Sequence, residues 1–173
     1  MTNFKEDLQR VKAFAFDVDG VFTDGKIYLF SDDEFIRAVN IKDGFAVQYA
    51  INMGYPIAII TGGDSEIIRT RFRKLGVTDI YMKTNDKVDN FSDFHFKYGL
   101  EPENILYMGD DIPDLEVMKK SGIPTCPADA AVEVKFISKY ISNFNGGEGC
   151  VRDVIEQVLR LKGDWIKGYS THV

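Results

Sequence analysis

An apolar run that ends in two aspartates and a glycine constrains this chain more than any other feature. It lies at Phe14 to Asp24 and reads FAFDVDGVFTD. Residues 12–16 are apolar on both faces, as expected for a parallel strand covered by helices on each side. Asp17 and Asp19 stand two apart, so both side chains can leave an extended backbone in the same direction. The strand therefore delivers carboxylates to a loop. Two later stretches follow the same plan, Ile59-Ile60-Thr61-Gly62-Gly63 and Tyr107-Met108-Gly109-Asp110-Asp111-Ile112-Pro113-Asp114. Each is an apolar run that ends in residues able to hold a phosphate or a metal.

Between these runs the spacing of apolar residues changes to the helical period. Strands are expected at 12–16, 56–60, 79–82, 105–108, 123–126 and 140–141. Helices are expected between them, the first capped by Asp43 and closed by Gly54. Asp64 or Ser65 starts the next, and residues 86–98 form another, with Val88, Phe91, Phe94 and Tyr98 as its apolar stripe. Helices at 113–120 and around 130–137 follow, and Val151, Val154, Ile155, Val158 and Leu159 mark the last. Residues 3–10 read as a short helix or an arm. Residues 26–30 and 35–41 read as two strands joined by a turn at 31–34. Their connection is too short for a parallel crossover. This hairpin flap, about residues 25–41, should project beside the site or pack on another subunit. Residues 163–173 form a tail without periodicity, in which Trp165 is expected to bury itself against a neighbouring subunit. The alternation of strands and helices predicts an α/β fold of three layers, Rossmann-like, with a mostly parallel sheet. A length of 173 residues suits a single domain, and no cap domain is expected.

The bulk properties exclude several classes of function. The net charge of −6 provides no basic footprint for nucleic acid. No apolar run approaches the ~20 residues that cross a bilayer, and the N-terminus has no apolar signal core. Cys126 and Cys150 fit no zinc spacing and read as small buried hydrophobes in a reducing cytoplasm. His95 and His172 stand alone and read as structural or solvated.

The polar residues at the strand ends suggest a chemistry. Asp17, beside a hard cation, stays ionised and can attack phosphorus. Asp19, on the looser side, can protonate the leaving alcohol and then take a proton from water. Asp110 is placed to offer magnesium a second carboxylate. Capping accounts in part for Asp111 or Asp114. Thr61 and Gly62 precede a helix and make a phosphate cradle. Lys87, near the start of a helix, would stabilise the charge of a transferring phosphoryl group.

The ordered set DxDGxxTD, strand-Thr-Gly, Lys and GDDxxD resembles the haloacid dehalogenase-like phosphatase superfamily over roughly residues 12–127. The resemblance implies Asp17 as nucleophile and Asp19 as acid and base. It implies Asp17, the Asp19 carbonyl and Asp110 as magnesium ligands, and Asp111 and Asp114 as outer-shell acids. Gly20, Thr61, Gly62 and Lys87 match phosphate-binding positions. DGVFTDG, Lys42-Asp43-Gly44-Phe45, the Gly146-Gly147-x-Gly149-x-Val151-Arg152 segment and the closing Lys167-Gly168-x-Ser170 resemble the capless 3-deoxy-D-manno-octulosonate 8-phosphate phosphatases. That likeness implies a homotetramer built on the hairpins, a sugar-acid phosphate substrate, Arg71 as a substrate contact, and a place in lipopolysaccharide biosynthesis. Gly63 stands where many octulosonate phosphatases carry Arg and nonulosonate 9-phosphate phosphatases carry Glu, and Glu148 stands where Arg is frequent. A phosphatase of a nonulosonate 9-phosphate is therefore the alternative. A signalling receiver domain, which is phosphorylated on Asp, is the alternative of a different class.

Overall fold

The computed structural model describes residues 4–29 and 35–167. In chain order it runs α1 (Phe4–Arg10), β1 (Ala13–Phe16), β2 (Tyr28–Leu29), β3 (Phe35–Ile36), α2 (Ile41–Asn52), β4 (Ile57–Ile60), α3 (Glu66–Lys74) and β5 (Asp79–Tyr81). It continues with α4 (Lys87–Lys97), β6 (Ile105–Met108), α5 (Leu115–Lys120), β7 (Ile123–Cys126), α6 (Val132–Ile137), β8 (Tyr140–Ile141) and α7 (Cys150–Leu161). Single 3-10 turns precede β6 and α5.

Six strands form one parallel sheet in the order β5-β4-β1-β6-β7-β8, and β2 pairs with β3 in a separate antiparallel hairpin. β1 lies at the centre, with Phe16 beside Ile59 of β4 on one side and Met108 of β6 on the other. The chain builds outward from β1 to β5 and then returns to β6, so the direction of winding reverses at β1. Ligands of open α/β sheets bind at such a reversal, beyond the carboxyl ends of the strands. A receiver domain has the order 2-1-3-4-5. The observed order, 3-2-1-4-5-6 when the sheet strands are numbered in sequence, excludes that alternative.

The pleat divides each central strand between two cores. Phe14, Phe16, Ile57, Ile59, Leu106 and Met108 face a layer built from α1, α2, α3 and α7. Ala13, Ala15, Ala58, Ile60, Ile105 and Tyr107 face α4, α5 and α6. Each buried Leu, Ile, Phe or Met side chain among these contributes roughly 1.5–3 kcal/mol. The small residues on β1 let α4 and α5 approach closely, and continuing the alternation one step points Asp17 at that same layer.

Three expectations are corrected. Asp43 is not the cap of α2. Asn40 caps it, accepting from the Lys42 amide at 2.8 Å, and Asp43 lies buried in the first turn. Ile41 belongs to α2 and not to the second hairpin strand, because that cap commits it to the helix. Trp165 packs within its own chain. The backbone turns back beyond α7, and the indole rests on Phe45 and Tyr49 with the Arg152 and Arg160 guanidinium groups above it. The hairpin turn at 31–34, the closing Gly168-x-Ser170 and His172 lie outside the described residues. Cys126 and Cys150 are free and buried, and His95 bonds the Leu100 carbonyl. Among the described residues, no helix is long and apolar enough to cross a membrane.

Candidate active site

The loops after β1, β4 and β6 meet above the sheet and enclose a cleft of about 660 Å³. Asp17, Asp19, Thr61, Gly62, Lys87, Asp110, Asp111 and Asp114 all line it. Its walls follow from local backbone chemistry. The Asp17 amide still bonds the Met108 carbonyl, so this residue is held as tightly as the strand before it. The amides of Val21, Phe22 and Thr23 then converge on the Val18 carbonyl, and the Thr23 hydroxyl accepts from Gly20 and Gly25. Gly20 has φ +85°, and a Cβ there would collide with the Asp110 carboxylate. Only glycine allows the β1 and β6 loops to close on each other. The 146–147 segment lies on the outer side of this loop, with the Gly147 amide on the Val21 carbonyl.

Lys87 is placed by its neighbour. Asp86 caps α4 through the Val88 and Asp89 amides, which leaves Lys87 as the first helical residue, turned into the cleft. Its ammonium lies 2.7 Å from Asp114 Oδ1 and 3.1 Å from Asp17 Oδ1, and its side chain is 9% exposed. Burial opposes this charge, but Asp17 and Asp114 outweigh it and raise the lysine's pKa.

The three carboxylates Asp17, Asp110 and Asp114 have oxygens within 4.8 Å of one another. They are not equivalent. Asp114 is fully occupied: Oδ1 accepts from Lys87 and the Tyr107 hydroxyl, and Oδ2 accepts from the Asp110 amide. Asp17 Oδ1 and Asp110 Oδ1 are buried with no hydrogen-bond donor aimed at them. Lys87 stands 3.1 Å from the first as its ion partner. Burial, reinforced by Asp114, raises the Asp17 pKa far above the usual carboxylate range, against the pull of Lys87. Burial and the charge of Asp17 push Asp110 up to about 8. Two orphaned carboxylate oxygens, acid-only ligands and open space in front of them suit a small hard cation. Magnesium binds through one or two carboxylates and keeps its other positions for water and phosphate.

The Thr61 side chain is buried, and its hydroxyl accepts from the Gly63 amide at 3.2 Å. Contacts from the Lys83 amide to the Gly63 carbonyl and from the Thr84 amide to the Thr61 carbonyl brace this loop. Asp111 is exposed at the rim. Arg71 stands apart from the cleft, against Gly44, in a shallow depression shared with Glu66, Thr70 and Lys74. Arg69 and Arg73 pair with Glu66.

Two groups of the site escaped the sequence. Thr84 and Asn85 line the cleft; the only available signal was a polar loop after the short β5. Arg37, from the end of the hairpin, is bonded to Asp19. Asp43 Oδ1 accepts from the Arg152 amide at the start of α7, and burial pushes its carboxyl up to about 6.

Comparison with known proteins finds relatives across nearly the whole chain. A sequence model of the haloacid dehalogenase-like hydrolases matches residues 64–155. The 3-deoxy-D-manno-octulosonate 8-phosphate phosphatase KdsC of Escherichia coli K12 is 35% identical over 164 residues, covering 94% of this chain and 87% of that protein. The crystal structure of the phosphatase of the same name from Yersinia pestis superposes with a TM-score of 0.90 at 30% identity, over 92% of this chain and 86% of that one. The Moraxella catarrhalis phosphatase, solved with magnesium, phosphate and KDO, superposes with a TM-score of 0.89 at 31% identity, over 93% and 92%.

Proposed function

The chain belongs to the haloacid dehalogenase-like hydrolases, and we propose that it is a magnesium-dependent phosphatase that converts 3-deoxy-D-manno-octulosonate 8-phosphate to the free sugar acid and phosphate. The site supports the reaction class, and relatives that carry this name across nearly the whole chain support the substrate. The observation that carries the reading is the pair of orphaned oxygens on Asp17 and Asp110, beside a buried lysine and at the floor of an open cleft.

Magnesium, held by Asp17, Asp110 and the Asp19 carbonyl, would keep Asp17 ionised at neutral pH and neutralise charge on the phosphate. Asp17 attacks phosphorus, and the bond from phosphorus to the sugar oxygen breaks as Asp19 gives that oxygen a proton. Asp19 then takes a proton from the water that hydrolyses the aspartyl phosphate. Lys87, Thr61 and the backbone of Gly20 and Gly62 hold the phosphoryl oxygens, and Asp114 orients Lys87. Asp111 acts from the rim.

Ile27, Tyr28, Leu29, Phe35 and Ile36 leave the hairpin with an exposed apolar surface. We assign this surface to a homotetramer whose neighbouring subunits cover each cleft, and in which Arg71 contacts substrate from outside its own cleft. The free, buried cysteines suit a reducing cytoplasm, where the product would enter lipopolysaccharide synthesis. The test is kcat/KM for octulosonate 8-phosphate against a nonulosonate 9-phosphate with magnesium present. At least a tenfold preference for the first is expected, about 1.4 kcal/mol. Preference for the second would replace the substrate assigned here.

A further inference from the structure

Arg37 follows β3 and behaves unlike the rest of the hairpin. Phe35 and Ile36 are about half exposed, whereas the Arg37 side chain is 11% exposed. Its guanidinium turns inward over a small pit lined in part by Val18, Thr61, Gly63, Ile68 and Met82. Nε donates to Asp19 Oδ1 at 2.7 Å, and Nη2 donates to Oδ2 at 3.3 Å. A two-point contact from a nearly buried guanidinium fixes the plane of a carboxylate as well as its position. Among the described residues, Arg37 alone donates to this carboxylate. Asp19 needs such a holder, because its side chain is 38% exposed in the open cleft. Gly63 leaves room for the pair: a Cβ there would stand 3.3 Å from Asp19 Oδ2 and 4.0 Å from Arg37 Nη2. Oδ1 is the anchored oxygen, and Oδ2, with the longer contact, is the freer one.

We propose that Arg37 is a positioning residue for the reaction: it fixes the Asp19 carboxyl where a proton can reach the leaving oxygen, and so ties that proton transfer to the placement of the hairpin. This rests on the phosphatase reading, with Asp19 as the acid. In the step concerned, the bond from Asp17 to phosphorus forms, the bond from phosphorus to the ester oxygen breaks, and the Asp19 proton passes to that oxygen. The poorer the leaving group, the more the step depends on the proton. Arg37 therefore matters in proportion to the basicity of the leaving oxygen.

The experiment measures kcat/KM of the wild type, Arg37→Ala and Arg37→Lys with magnesium on three substrates. They are octulosonate 8-phosphate, phenyl phosphate and p-nitrophenyl phosphate, and the last has the best leaving group. Misplacing a reacting group by about 1 Å costs on the order of 100-fold. For Arg37→Ala the expected loss is about 10–100-fold on the sugar-acid phosphate, smaller on phenyl phosphate, and within about threefold on p-nitrophenyl phosphate. Arg37→Lys, which keeps one donor, should show the same order with smaller losses. Equal losses on all three substrates would mean a structural role, and loss confined to the sugar acid would mean that Arg37 binds its carboxylate. Either result, or no loss, overturns the proposal. If the wild type cleaves the aryl phosphates but not octulosonate 8-phosphate, the substrate assignment fails, while the aryl pair still decides the role of Arg37.

Discussion

Replacing Lys87 with Met keeps the length of the side chain and removes the ammonium between Asp17 and Asp114. Lys87 is 9% exposed, so solvent does little to soften the change. Removing one member of a buried ion pair costs about 3–5 kcal/mol. For a domain of this size each kcal/mol lowers Tm by roughly 2–4 °C, which gives a drop of about 6–20 °C. The cost must depend on pH. The folded-state pKa of Asp17 is raised and that of Asp110 is pushed up to about 8, so the folded protein holds protons that the unfolded chain releases near pH 3.8. The metal-free wild type therefore loses stability as pH rises from that value towards about 8. Lys87 opposes both shifts, and without it this fall steepens. The deficit of the variant should grow from roughly 1–2 kcal/mol near pH 5.5 to roughly 3–5 kcal/mol near pH 8.5. Urea unfolding of the metal-free proteins at the two pH values measures it. An equal deficit at both would refute the electrostatic account of this cluster. In the presence of magnesium, turnover of the variant should fall about 10²–10³-fold.

Two further outcomes test the fold and assembly. Trp165→Ala should destabilise the chain by about 3–5 kcal/mol in thermal or urea unfolding, since the indole fills a niche against Phe45 and Tyr49 within one subunit; an effect below about 1 kcal/mol would contradict that packing. Leu29→Glu places a charge on an exposed apolar side chain of the hairpin, 78% exposed. Sedimentation should find a tetramer for the wild type and smaller species for the variant, and a wild-type monomer at micromolar concentration would contradict the assembly.

The strand ends were legible in the sequence because burial on both faces leaves a mark that few other contexts produce. The run 105–108 is the observed strand residue for residue, and the polar groups that follow each run gather in one cleft. Lys87 was legible as a cation near a helix start, but its pairing with Asp17 was not, since α4 follows the edge strand β5 and only its packing brings the ammonium to the end of β1. Other features depend on tertiary geometry that has no period. Asn40 and Asp43 are both good caps, and the choice turned on which one α7 needed: Asp43 faces the Arg152 amide. Trp165 lies in a segment without periodicity because a turn back onto α2 requires none. Arg37 looked like one more residue of an exposed hairpin, and only the rotation of that hairpin brings it to Asp19. The place of Arg71 against Gly44 likewise depends on how α2 and α3 pack.

The central claim is that Asp17 attacks phosphorus, and Asp17→Asn tests it most directly. The substitution preserves shape and removes the nucleophilic carboxylate. Phosphate release from octulosonate 8-phosphate is measured with saturating magnesium, on protein whose melting curve shows that it is folded. A fall of about 10⁴-fold or more is predicted. Release at a rate near that of the wild type would contradict the mechanism.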